Sequence, residues 1–311
     1  MCFYLSLFVQ TDCILVRYGE IALKSRATRK NFEKILRNNI KKALKINNIS
    51  FDLITMQGRI LVESEDIKKA VDVISHVFGI TSISPAFKLD TDLIQISGLT
   101  FSLIDKHINK GQSFALRVTR TGNHPFSSQD VAINVGSFVQ KQKDFTVDLT
   151  NPDIEVFIEI RDNQSYLFLE KISGPGGMPR GSQGRMVSII DSAYDLLASW
   201  YLLKRGCDML YIYSDEKILN DADTFFSTWH IPRHVFYCGK NDDFWDQVSM
   251  IISNKQCQAI CSGIHFSQNR NEDISLIKSL KQQVSIPVLT PLISFGSEEL
   301  QKLCKEKRIK T

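Results

Sequence analysis

The sequence predicts a multidomain α/β protein: a ferredoxin-like unit first, a second α/β unit next, and a Rossmann-like unit with a parallel sheet last. Three observations carry this. The chain opens with the order strand, helix, strand, strand, helix, strand, which is a ferredoxin-like arrangement. Between Phe114 and Val131 a strand runs through a basic loop into a helix start. From Met186 onward short apolar strands alternate with helices, the pattern of a parallel sheet covered on both faces. A length of 311 residues exceeds one small core and fits two or three domains.

In order, Ile14 to Tyr18 reads as a strand and Thr28 to Ile46 as a helix. Phe32, Ile35, Leu36, Ile40, Ala43 and Leu44 share one face of that helix at helical spacing. Phe51 to Ile54 and Arg59 to Glu63 form a hairpin about Gln57-Gly58. Ile67, Ala70, Val71, Ile74 and Phe78 mark a second helix; Thr81 to Lys88 is a strand and Leu93 to Ile108 a helix. Phe145 to Leu149, Ile154 to Ile160 and Tyr166 to Glu170 are strands, the last two a hairpin about Asp162 to Gln164. Val156, Ile158 and Ile160 alternate with Glu155, Phe157, Glu159 and Arg161, which predicts a sheet with one wet face. Gly174 to Gly184 is rich in glycine and proline and reads as a linker. Met186 to Ile190, Met209 to Tyr213, Val235 to Tyr237, Ala259 to Cys261 and Pro287 to Leu289 are the strands of the last unit. Leu196 to Arg205 is its first helix, stopped by Gly206.

Hydrophobic content of 43% and charged content of 23% place the chain among ordinary globular proteins. Charge is unevenly distributed. Arg17, Lys24, Arg26, Arg29, Lys30, Lys34, Arg37, Lys41, Lys42 and Lys45 face only Glu20 and Glu33, so this segment carries +8; the whole chain carries +4, leaving −4 elsewhere. Such an excess suggests a polyanionic partner, although a basic helix stripe is often only a solvated face. The turn Lys24, Ser25, Arg26, Ala27, Thr28, Arg29, followed by Lys30, concentrates cations at a helix start and is the better candidate for phosphate contact. The seven cysteines show neither zinc-type spacing nor a secreted framework, so reduced thiols in a cytoplasm fit. Cys257 and Cys261 lie four apart on a strand, too far apart to share a metal, and no metal is assigned. Met1 to Val9 is apolar but lacks a basic leader and is broken by Gln10, Thr11 and Asp12, so neither a signal peptide nor a membrane span is expected.

The Phe114–Val131 stretch holds the richest local chemistry. Phe114, Leu116 and Val118 face one way, and Arg117, Thr119 and Thr121 the other. Arg120, Thr121, Gly122, Asn123, His124 and Pro125 form a loop in which Gly122 permits an unusual turn and Pro125 disfavours helix at His124. Phe126 follows; Ser127 or Ser128 then caps a helix with Asp130 in its first turn. Cations beside helix N–H groups make an anion site, and Arg117 and Arg120 suit phosphate because arginine pairs with it bidentately. A plain polar surface loop is the competing reading.

This run is similar to the core of a THUMP domain, an RNA-binding module of tRNA-modifying enzymes. Arg17 to Ser25, Asn151 to Asp162 and Gly174 to Gly184 extend the match, and the four motifs in order resemble the tRNA 4-thiouridine synthetase (tRNA sulfurtransferase) family. The resemblance implies a ferredoxin-like domain at 1–78, a THUMP domain at 79–173, a linker at 174–184 and a PP-loop domain at 185–311. It implies tRNA as partner, with Lys24, Arg26, Arg29, Lys30, Arg117, Arg120, Thr121, Asn123, His124, Phe126 and Ser127 as candidate contacts. It also implies ATP as cofactor, a sulfur-donor protein or an active paralogue as a further partner, a homodimer, and no membrane.

The family's PP-loop signature is Ser-Gly-Gly-x-Asp-Ser, whose glycines let backbone N–H groups close around phosphates. Here the corresponding stretch runs from Ser188 to Leu196 and has neither glycine. Ile189, Ile190, Asp191 and Ser192 stand at the cradle, with Gly263 as the glycine of a neighbouring strand end. ATP binding of the family type is therefore expected to be lost or weakened, and the chain to stop before the family's last segment. Cys238, Cys261 and His265 could relay sulfur, but buried inert thiols are the simpler reading. Three functions follow: a tRNA-binding member impaired in adenylation, an active ATP-dependent sulfurtransferase making 4-thiouridine, or a small-molecule-binding protein whose front half is structural.

Overall fold

The structure, a computed structural model, describes residues 11–20, 25–266 and 269–310. The apolar leader and Lys24 lie outside the described residues. The chain folds as two compact units. One holds the described residues up to Arg17, together with Asn48–Asp72 and Ser82–Ser173; the other holds Tyr18–Asn47, Val73–Thr81 and the chain from Gly174 onward.

The first unit is built on one nine-stranded sheet. Its strands are β1 (Cys13–Arg17), β2 (Asp52–Met56), β3 (Arg59–Glu63), β4 (Ser82–Asp90), β5 (Ser113–Thr121), β6 (Thr146–Val147), β7 (Ile154–Arg161), β8 (Gln164–Phe168) and β9 (Ile172–Ser173). The order is β2-β3-β1-β4-β8-β7-β5-β6, with β9 on the side of β4. The two front modules read in the sequence therefore share a single sheet, in which β4 pairs antiparallel with β1 on one side and β8 on the other. Gly58, at φ 72°, closes the expected β2–β3 hairpin. Helices α3 (Leu93–His107) and α4 (Ser128–Gln142) cover one face over Val156, Ile158, Ile160, Phe114 and Leu167. The alternation of β5 is as expected, with Phe114, Leu116 and Val118 in that core.

The other face of β7 differs from the predicted wet face. Glu159 is only 5% exposed and sits among three guanidinium groups. A strand's own alternation shows which side a residue faces, but not what a distant strand brings opposite it.

The second unit contains α1 (Arg26–Ile46), which buries Phe32, Leu36, Ile40, Ala43 and Leu44. Asn39 Nδ2 on α1 donates to the Arg180 carbonyl at 3.0 Å. Helix α2 (Ile67–Ile74), which belongs to the first unit as far as Asp72, ends earlier than predicted, and in the second unit Phe78 packs against Trp200 and Trp229. The glycine-rich 174–184 stretch is tied down as well. Arg180 Nη1 pairs with Asp208 Oδ1 at 2.7 Å, and Met178 N–H donates to the Lys204 carbonyl.

The parallel sheet is as expected: β10 (Arg185–Ile190), β11 (Asp208–Tyr213), β12 (Val235–Tyr237), β13 (Ala259–Cys261) and β14 (Val288–Leu289), in the order β12-β11-β10-β13-β14. Alternate residues of the central strands feed two cores. Ile190, Met209, Tyr211 and Cys261 meet α5 (Ala193–Lys204), α6 (Glu216–Thr228) and α9 (Ser297–Glu306). Val187, Leu210, Ile212 and Ile260 meet α7 (Phe244–Asn254) and α8 (Arg270–Gln283). A sheet buried on both faces favours apolar residues on both sides of each strand, which is why Met209–Tyr213 and Ala259–Cys261 read as continuous apolar runs. The strand order reverses between β10 and β13, where ligands of open α/β sheets bind beyond the strand ends.

Candidate nucleic-acid loop and nucleotide cavity

The loop after β5 is held in one shape by its own side chains. Gly122 has φ 107°, and a Cβ there would lie 2.5 Å from Asp162 Oδ1, so only glycine passes. His124 Nε2 is 2.7 Å from the Asp162 carbonyl. A carbonyl can only accept, so Nε2 carries the proton and Nδ1 accepts from Arg120 Nη1 at 3.1 Å. Arg120 also donates to the Gly122 carbonyl, and the His124 ring stacks on Phe126 with centroids 5.2 Å apart. Thr121, Asn123 and Ser127 are exposed. Ser127 forms a capping box with Asp130, with Asp130 N–H donating to Ser127 Oγ at 3.1 Å, so its hydroxyl starts α4. The hydrogen bonds to Ser127 hold the Asp130 carboxyl below the ordinary aspartate value.

Arg117 is placed differently from Arg120. Its Nε and Nη2 lie 2.7 Å from Glu155 Oε1, and Nη2 also donates to the Leu149 carbonyl. It is committed to the sheet, whereas Arg120 is exposed at the loop. At the start of α1, Arg26 and Lys30 are exposed and Arg29 is partly so; no acid stands in that first turn.

A second group of cations escaped the sequence reading. Arg17, Arg59 and Arg161 surround Glu159 at 3.2, 2.9 and 2.7 Å. Arg17 also lies over the Phe168 ring and Lys171 over the Phe157 ring, at 4.7 and 4.1 Å. Burial alone would raise the Glu159 carboxyl; Arg59, Arg161 and Arg17 outweigh it and hold the group below its ordinary value. The only sequence signal was the opposite charge on strands whose pairing the sequence did not reveal.

In the second unit a cavity of about 710 Å³ opens beyond the ends of β10 and β13. Four of the sequence-predicted nucleotide residues line it: Ile189, Asp191, Ser192 and Gly263. Ile190 is buried in the core instead. The turn from β10 into α5 is formed by Asp191 and Ser192 and holds no glycine. The carboxylate of Asp195, in the first turn of α5, fills the point they surround. Its Oδ2 accepts from Ser192 N–H at 2.9 Å, from Ser192 Oγ at 2.9 Å and from Asp191 N–H at 3.2 Å. Its Oδ1 accepts from Gly263 N–H at 2.7 Å. Burial pushes the Asp195 carboxyl above the ordinary aspartate value, and these donors oppose that rise. Asp191 pairs with Lys240 Nζ at 2.9 Å at the cavity mouth. The N–H groups of Asp191, Ser192 and Gly263 thus already serve a carboxyl group of the same chain.

The six described cysteines are buried. Burial pushes the Cys13 thiol up to about 12 and the Cys304 thiol up to about 11, and raises Cys238 and Cys261 as well. His265 packs edge-on against Tyr194 at 4.8 Å. Among the described residues no three His, Cys, Asp or Glu side chains group to hold a metal ion. Among them, too, no helix is long and apolar enough to cross a membrane.

Comparison with known proteins places the chain. Residues 13–84 match the model of the ThiI ferredoxin-like domain, and residues 90–170 that of the THUMP domain. A probable tRNA sulfurtransferase of Methanosarcina acetivorans is 31% identical, covering 95% of this chain and 81% of that protein. One of Methanobrevibacter smithii is 29% identical over 95% of this chain and 86% of that protein. The crystal structure of PH1313 from Pyrococcus horikoshii superposes with a TM-score of 0.83 at 30% identity, covering 95% of this chain and 99% of that one. A 4-thiouridine synthetase solved in complex with RNA and bound ATP shares the fold, with a TM-score of 0.78 at 22% identity over 96% of this chain and 85% of that one. With both front-half family models matched in order and a 31% identical relative covered over four fifths of its length, the chain belongs to the tRNA sulfurtransferase family, whose work is tRNA modification.

Proposed function

We propose that this chain is a tRNA-binding member of its family in which ATP-dependent adenylation is impaired. The single observation that carries this is the Asp195 carboxylate held by the N–H groups of Asp191, Ser192 and Gly263. A phosphate entering there has to displace a buried carboxyl group that already holds these donors, while lying beside Asp191, and like charges at such short range disfavour each other. The front half supports tRNA as the partner: the THUMP match, the exposed Arg120 loop and the cations at the start of α1. A chain of this kind contributes to thiolation by holding tRNA for an active paralogue or a sulfur-donor protein.

The test is ATP-dependent appearance of 4-thiouridine absorption in tRNA with a sulfur donor, run beside tRNA filter binding over a salt series. The expected result is binding with a steep salt slope and no thiouridine. Robust ATP-dependent thiouridine formation would instead establish the second reading, an active ATP-dependent tRNA sulfurtransferase. That reading is favoured by the open cavity at the β10–β13 reversal and by the shared fold with a synthetase that has bound ATP.

A further inference from the structure

The cavity beyond β10 and β13 has the size of a small-molecule site, at about 710 Å³. Its charge is unusual for a phosphate site. Asp191, Asp195 and Asp273 line it against Lys240, and Lys240 is itself paired with Asp191. In either protonation state the two oxygens of Asp195 fill the point where Ser192 and Gly263 aim their N–H groups. The charged part of the lining is therefore three carboxyl groups against one ammonium, which opposes anions and suits hydroxyl and amino groups on a ligand. The rest of the lining is aromatic and aliphatic. Phe244 and Trp245 meet edge to face at 5.1 Å, Tyr194 and His265 do so at 4.8 Å, and Leu276 stands 57% exposed. Such walls take a flat heterocycle.

We propose that this cavity binds an uncharged nucleoside and discriminates against its phosphorylated forms, with Asp191 and Asp195 setting that preference. The assignment rests on the reading that the triphosphate site is altered, and it adds the class of ligand the altered site accepts. Asp195 acts as an internal substitute for a phosphate oxygen. Asp191, half exposed at the mouth, repels any phosphate carried on the ligand and accepts from sugar hydroxyls.

The experiment is isothermal titration of the full chain with the four common ribonucleosides, then with the mono- and triphosphate of whichever binds best. At least one nucleoside binds, and affinity falls at least tenfold from that nucleoside to its triphosphate. D191N narrows the ratio severalfold. L276W, at an exposed lining position, weakens nucleoside binding at least fivefold by filling the space. Three results would each overturn the assignment: a triphosphate binding as tightly as its nucleoside, no nucleoside binding at millimolar concentration, or binding unchanged in L276W. Thiouridine formation with ATP would sink the underlying reading; absence of both nucleoside binding and thiouridine formation would sink the cavity assignment alone.

Discussion

The backbone N–H of Gly263 donates to Asp195 Oδ1 at 2.7 Å, joining the end of β13 to the first turn of α5. The approach is so close that a Cβ on Gly263 would lie 2.4 Å from Tyr194 C and 2.5 Å from Asp195 N. Backbone atoms cannot swing aside as a side chain does. Gly263→Ala is expected to push α5 away from β13 at a cost of about 1–3 kcal/mol. The measurement is the urea midpoint of the tryptophan signal; an unchanged midpoint would mean that the seam yields freely.

Glu159 gives a prediction about acid. Its carboxyl is held below the ordinary 4.5 against the effect of burial, by Arg59, Arg161 and Arg17. A lowered folded value means that the stabilisation is present above about pH 4.5 and is lost as pH falls through the folded value. Glu159→Gln leaves three clustered guanidinium groups without their countercharge and is expected to cost about 3 kcal/mol at neutral pH. The variant's stability also falls less steeply with acid than the parent's. Parallel stability curves for the two proteins between pH 6 and 3 would contradict this.

The two arginines of β5 are expected to behave differently. Arg120 is exposed at the loop, while Arg117 is held by Glu155 and Leu149. Arg120→Ala should weaken tRNA binding and lower the salt slope by about one with little change in melting. Arg117→Ala should mainly lower the melting temperature, because it strips a partner from Glu155. Equal effects of the two substitutions on the salt slope would show that Arg117 reaches the nucleic acid too.

Cysteine reactivity separates structural from chemical thiols. Cys238 and Cys261 are buried and their thiols are pushed up, so little thiolate forms at neutral pH. Iodoacetamide at pH 8, followed by peptide mapping, should leave Cys261 unmodified in the native chain and label it in urea. Fast native labelling would revive a sulfur-relay role for this residue.

Helices and strands with strong periodicity were legible in the sequence. The α1 face from Phe32 to Leu44 and the strands Met209 to Tyr213 and Ala259 to Cys261 carry their burial in local pattern. The capping of α4 by Ser127 and Asp130 was legible for the same reason, since both partners lie within one turn. What depended on distant pairing was not. The β4–β8 join, the guanidinium cage of Glu159 and the closure of the β10–α5 turn by Gly263 each link residues far apart in the chain. The missing glycines of the PP-loop were visible, but nothing local showed that Asp195 would take their donors, because Gly263 comes from a strand 68 positions later.

The backbone passes between its two units at Arg17–Tyr18, Asn47–Asn48, Asp72–Val73, Thr81–Ser82 and Ser173–Gly174. The two units are thus interleaved along the sequence. No single protease cut can release either one intact. An expression clone ending at Ser173 would keep α1 while discarding Arg180, whose carbonyl Asn39 reaches. Homologous recombination could not swap the whole first unit as one cassette without also dividing the other unit.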